Sequence, residues 1–183
     1  MAAEPDPVPA WIVIGAGTGG TSATIGRYLA YRRLPTSLCL ADPEGSVYHR
    51  HYADRTALAA DGPPSLIEGI GRPCVEPSFL PEVIDRAVAV PDAASVAAMR
   101  AISRILGRRC GGSTGTNVWA CAIVIAEMLR RGERGSVVTL LCDPGERYFG
   151  SLYDDAWLAA RGLDPSPSAA RLDAFLATGR LET

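Results

Sequence analysis

Residues 15 to 21 read Gly-Ala-Gly-Thr-Gly-Gly-Thr, which places four glycines and two threonine hydroxyls within seven positions. Glycine lets the backbone turn tightly and bring bare N–H groups up to a ligand, because no Cβ stands in the way. The chemistry of such a cup is anion binding. Directly before it, Trp11-Ile-Val-Ile14 is too short for a helix and β-branched at three of its four positions, which predicts a buried strand. Behind it, Ile25, Tyr28 and Leu29 recur at helical spacing and point the start of a helix into the cup. A helix start offers unpaired donors and a partial positive charge, so phosphate is the expected guest.

Two kinds of ligand bring such a phosphate. Gly15-Ala-Gly17-Thr-Gly-Gly20 fits GxGxxG, and Asp42, at the end of the next expected strand, stands where a dinucleotide site places an acid on the ribose. On that reading Gly15, Gly17, Gly20 and Asp42 bind NAD or FAD in an oxidoreductase domain. The other reading depends on motifs further along the chain. The cup leaves both open.

The remaining chemistry is limited. His49 and His51 would share one face of a strand, but no Cys, Asp or Glu set nearby completes a metal site, so an exposed loop and no metal are expected. The five cysteines form no CxxC pair and are read as buried free thiols. All 18 Lys+Arg residues are arginine, so the chain holds no lysine.

The elements that must position the cup follow from the apolar pattern. After the first helix, Ser37 to Ala41 predicts a second strand, and the βαβ unit implies a parallel pair. Residues 46 to 82 show no clear element, a length that is usually functional. Arg86 to Val90 is the third expected strand, followed by a helix that Asp92 would cap. A short fourth strand is expected at 109–112, a helix from about Thr116 through Leu129, and an almost wholly apolar fifth strand from Ser136 to Cys142. Short helices are expected around 154–161 and 169–177. Continuous apolar strands alternating with helices imply an α/β fold of three layers, a parallel sheet with helices on both faces. The expected division is a lead-in at 1–10, an α/β domain at 11–163 and a helical tail at 164–183 lying on the surface as an appendage.

At 183 residues the chain is long enough to bury roughly 70% of its unfolded surface. A net charge of −2 gives no reason to expect nucleic acid or an anionic membrane as partner. The first residues carry acids and prolines where a signal peptide would need a basic end and an apolar stretch, so a cytoplasmic protein is expected.

Four motifs in order, Gly17-Thr-Gly-Gly-Thr21, Glu68-Gly-Ile-Gly71, Cys110-Gly-Gly-Ser-Thr-Gly-Thr116 and Cys142-Asp-Pro-Gly-Glu-Arg-Tyr148, resemble the cysteine synthase and cystathionine β-synthase family of pyridoxal phosphate enzymes, of fold type II. The resemblance runs from about Trp11 to Tyr153 and covers the C-terminal half of a family member. It implies that Gly17 to Thr21 hold the cofactor phosphate, that Ser113 hydrogen-bonds the pyridine nitrogen, and that Gly69, Ile70 and Gly71 line the substrate side, with Asp143 bordering the same pocket. Ile67-Glu-Gly-Ile-Gly-Arg-Pro73 is most similar to the bacterial cysteine desulfhydrase and cysteine synthase-like members. The implied reaction is β-elimination or β-replacement on cysteine- or serine-type substrates. The family holds its cofactor on a Schiff-base lysine in its N-terminal half, and no catalytic residue of that kind is present here. The expectation is a fragment of a full enzyme, one part of a split enzyme completed by a lysine-bearing partner, or a non-catalytic remnant, ranked in that order. The implied partners are an amino-acid substrate and either further copies or the missing N-terminal half.

Overall fold

The computed structural model describes residues 6–181, so residues 1–5 of the expected lead-in and the last two of the tail lie outside the described residues. Four parallel strands form one sheet in the order β3-β2-β1-β4: β1 Trp11–Ile14, β2 Ser37–Pro43, β3 Arg86–Val90 and β4 Val137–Thr139. In register, Ile12 faces Leu38 and Ile14 faces Leu40 across β1 and β2. The alternation of side chains then sorts the strands onto two faces. Val13, Cys39, Ala41, Val88 and Val90 pack against α3 (Asp92–Leu106), α4 (Gly112–Arg131) and α6 (Ser166–Thr178). Ile14, Leu38 and Leu40 pack on the opposite face against α1 (Gly20–Arg32) and α2 (Tyr48–Ala53). The fold is the expected three-layer α/β arrangement.

Several elements differ from the sequence pattern, each for a local reason. Residues 109–112 are not a strand; Cys110 makes only an isolated antiparallel bridge to Pro144, and α4 begins at Gly112. A Cβ on Gly111 would collide with the Asp143 carboxylate, so this turn is built around glycine. β4 ends at Thr139, paired with Val13, one residue short of the end of β1 at Ile14. The 46–82 stretch contains α2, too short to show a helical period. His49 and His51 therefore lie on a helix, and His51 is buried with its ring edge toward Phe79. Asp92 does not cap α3. Pro91 holds the cap position, while the Asp92 carboxylate accepts from Leu66 N at 2.5 Å and Ser65 Oγ at 2.6 Å. The segment from 164 is helical as expected, but it is no surface appendage: Leu172 and Phe175 of α6 are buried in the main core. Of the cysteines, Cys39, Cys110 and Cys121 are buried and free, whereas Cys74 and Cys142 are exposed. Burial pushes the Cys39 and Cys121 thiols up to about 12. Among the described residues no helix is long and apolar enough to cross a membrane.

α3 and α4 cross closely because small residues face each other at the contact. Ser95 Oγ lies 2.8 Å from Thr116 Oγ1, and a Cβ on Gly115 would strike the Ser95 carbonyl oxygen. This crossing fixes the first turn of α4, and with it Ser113, beside β1.

Candidate cofactor cleft

The glycine cup lies between β1 and the 13-residue helix α1, whose first turn holds no acid. Gly19 adopts φ 88°, and a Cβ there would stand 2.5 Å from the Cα of Phe79. A Cβ on Gly17 would stand 2.7 Å from the Gly69 carbonyl oxygen. Two hydroxyls brace the cup from outside: Tyr48 donates to Gly17 O and Ser78 to Thr18 O, both at 2.6 Å. Tyr48 is itself stacked on Phe79, with ring centroids 4.1 Å apart. With two carbonyls engaged, the N–H groups of Gly17, Thr18 and Gly19 donate to no described partner. Unpaired backbone donors at a helix start are the physical definition of an anion site.

Facing the cup is the start of α4. Ser113 is buried in its first turn and donates to Asp143 Oδ1 at 3.2 Å, so the serine does not act as a helix cap. Asp143 is held on its other side by the Tyr148 hydroxyl, which donates to Oδ2 at 2.6 Å. Burial, and then that carboxylate, push the Tyr148 phenol above its ordinary range. One turn on from Ser113, Asn117 is buried with Nδ2 donating to Leu140 O at 3.3 Å, while its Oδ1 has no partner among the described residues. A buried amide oxygen left unpaired costs free energy unless a ligand or water meets it.

The third wall is the loop carrying Glu68, Gly69 and Ile70, pinned at its base by Asp92 through Ser65 and Leu66. At the mouth, Glu68 pairs with Arg147 at 2.6 Å, both side chains more than half exposed. Arg147 thus reaches across the opening instead of pairing with its neighbour Glu146. Together these three walls enclose a cavity of about 590 Å³. It gathers Gly17, Thr18, Gly19, Gly20, Thr21, Ser113, Gly69, Ile70 and Asp143, nine of the ten residues that the resemblance assigns to the site.

Gly71 is the tenth and stands behind the cleft, its N–H donating to Ala16 O at 2.8 Å and its α-carbon against Pro43. Asp42, the acid required by the dinucleotide reading, is fully buried and accepts from His49 N at 2.7 Å. Burial pushes its carboxyl up to about 6. It does not line the cleft, so no ribose acid faces the cup. Asn117 and Tyr148 were not singled out: Asn117 sits in a helical run with no motif of its own, and Tyr148 was noted only as the end of one. Tyr48 and Ser78 came from parts of the 46–82 stretch that match no motif.

This constellation of an anion cup, a buried hydroxyl facing it and a lidded mouth agrees with three comparisons. Residues 1–143 match the family described as pyridoxal-phosphate dependent enzyme. The chain belongs to that family. It is 57% identical over 175 residues to the L-cysteine desulfhydrase of Mycobacterium tuberculosis, covering 96% of this chain and 48% of that protein. It is 36% identical over 164 residues to cysteine synthase 2 of Schizosaccharomyces pombe, covering 84% of this chain and 41% of that protein. The crystal structure of an O-acetylserine dependent cystathionine beta-synthase from Helicobacter pylori superposes with a TM-score of 0.63 at 28% identity, over 79% of this chain and 43% of that one. The chain spans about half the length of the curated relatives it matches.

Proposed function

We propose that this chain supplies the phosphate cup and the ring-facing wall of a pyridoxal phosphate site, in an enzyme that eliminates or replaces the β-substituent of cysteine- or serine-type amino acids. The observation that carries this reading is the single cavity in which the unpaired N–H groups of the cup face Ser113 and the unpartnered Asn117 oxygen. The residues present fit the phosphate and ring ends of the cofactor. The cup offers N–H donors and the Thr18 and Thr21 hydroxyls to three anionic oxygens, with no acid in the first turn of α1 to repel them. Pyridoxal phosphate, when bound, supplies an electron sink for charge that develops at the substrate Cα.

Each wall then has a task. The Ser113 proton is available to the ring nitrogen once its long contact to Asp143 is exchanged, and a hydroxyl there leaves that nitrogen unprotonated. Until that exchange Asp143, itself held by Tyr148, keeps the Ser113 hydroxyl facing the cleft. The Glu68–Arg147 pair narrows the mouth and limits the access of water. The names of the relatives support the substrate class, sulfur amino acids. The reading includes a cytoplasmic location.

The chemistry also needs an amine to hold the cofactor covalently and to move the substrate proton. With no lysine in its sequence, the chain takes that amine from a lysine-bearing segment it pairs with, and by itself it turns nothing over. The test is complementation. This chain is mixed with the half of the M. tuberculosis relative that it does not span, and sulfide release from L-cysteine is followed. Activity in the mixture and in neither part alone is the expected result, falling about 10- to 100-fold with Ser113→Ala, the order of one lost hydrogen bond to the reacting group. Sulfide release by the 183-residue chain alone would contradict the reading.

A further inference from the structure

On the far side of the 108–112 turn lies a second, open cavity of about 570 Å³, lined by Arg100, Arg104, Arg108 and Arg109 with Glu146 as its one carboxylate. With Asp155 beside Arg100 and Asp173 beside Arg104, the four guanidiniums meet three carboxylates, a local excess of one cation in a chain whose net charge is −2. The cavity floor is fixed by a hydroxyl network: Ser103 Oγ lies 2.7 Å from Tyr153 Oη, and Tyr153 donates to Cys110 O at 2.8 Å. The walls are fixed as well. Arg100 donates twice to Leu152 O, at 3.1 and 2.9 Å, and pairs with Asp155. The Arg109 guanidinium lies over the rings of Phe149 and Tyr153, 4.9 and 5.8 Å from their centroids.

Charge balance separates these arginines. Arg100 is matched by Asp155 and Arg104 approaches Asp173 at only 4.0 Å, while Arg108 and Arg109 have no carboxylate partner among the described residues. The negative end of α3 favours cations in its last turn and accounts for Arg104. It does not account for Arg109, which is held across the cavity on two aromatic faces. Guanidinium forks match phosphate oxygens bidentately, and several of them around one space favour a ligand with more than one anionic group.

We propose that this cavity binds a compact polyanion of the phosphate class, with pyrophosphate as its simplest member, at a site separate from the cofactor cleft. Ser103 and Tyr153 of its floor hold Cys110 by its N–H and carbonyl, and Cys110 runs through Gly111 and Gly112 to Ser113, so the bound anion clamps the same turn that presents Ser113 to the cleft.

The test is calorimetric titration of pyrophosphate into the full 183-residue chain carrying Gly20→Asp, which closes the cofactor cup to anions. One pyrophosphate is expected to bind. Adding Arg108→Glu is expected to weaken it about tenfold or more, and Arg104→Gln by a smaller factor. The Arg108 side chain forms no described hydrogen bond or ion pair, so its reversal leaves the fold intact, which circular dichroism checks. No binding to the Gly20→Asp protein, or equal affinity with and without Arg108→Glu, overturns the proposal.

Discussion

Gly20 and Gly19 are neighbours with opposite tolerances, and the contrast separates binding from folding. A Cβ on Gly20 meets nothing nearer than Thr18 Oγ1 at 3.8 Å, and an acid in the first turn of a helix is favourable by about 0.3 to 1 kcal/mol. Gly20→Asp is therefore expected to leave the melting temperature unchanged or slightly raised while it abolishes phosphate binding. Gly19, at φ 88° and pressed on Phe79, has no room for a side chain. Gly19→Ala is expected to cost about 2 to 4 kcal/mol in urea unfolding. Asp42 gives a pH signature. Its folded carboxyl titrates near 6 against an ordinary value of about 4, so the folded state binds the proton more tightly. The stability this contributes is full below about pH 4 and is lost as pH rises through 6, by about 3 kcal/mol at most. Asp42→Asn keeps an oxygen for His49 N and removes that dependence; its unfolding free energy is expected to lack the wild-type decline between pH 4 and 7. Pyridoxal phosphate is expected to bind this variant as it binds the wild type, whereas NAD binding by the wild type that the variant loses would restore the ribose role.

At the scale of elements, the α3–α4 crossing sets where the cleft stands. Gly115→Ala would press a methyl into the Ser95 carbonyl, and a cost of about 1 to 3 kcal/mol is expected, with Ser113 displaced and cofactor affinity reduced along with stability. Little of this crossing was legible in the sequence, because Gly115 looks like one more glycine in a glycine-rich run. What was legible had a local cause. The strand–cup–helix unit at 11–32 shows in apolar clustering, glycine spacing and helical period, and the α/β class follows from repetition of that pattern. The parts that misled depend on distant partners. Asp92 stands where a cap belongs but turns to Leu66, 26 residues earlier in the chain. Cys110 and Pro144 meet only because Gly111 lets Asp143 approach. The apolar run 136–142 has strand composition throughout, yet it pairs only as far as Thr139, opposite Val13.

For the whole molecule, the open edge of the sheet is the main exposed apolar feature near the cleft. Among the described residues β4 pairs only with β1, and Val138, Leu140 and Leu141 are each about 40% exposed there. An unpaired parallel edge of this composition seeks another strand. The isolated chain is expected to self-associate in light scattering, and Val138→Lys to shift it toward monomer. The same edge borders the cleft through Leu140 and Cys142, so a strand added to β4 would lie beside the cleft.

The most direct measurement is a pyridoxal phosphate titration of the 183-residue chain beside its Gly20→Asp variant, followed by borohydride reduction and peptide mass mapping. The account predicts reversible binding that Gly20→Asp removes, with no reduced adduct on any side chain. Binding unchanged by Gly20→Asp, or a cofactor fixed to a side chain of this lysine-free chain, would contradict it.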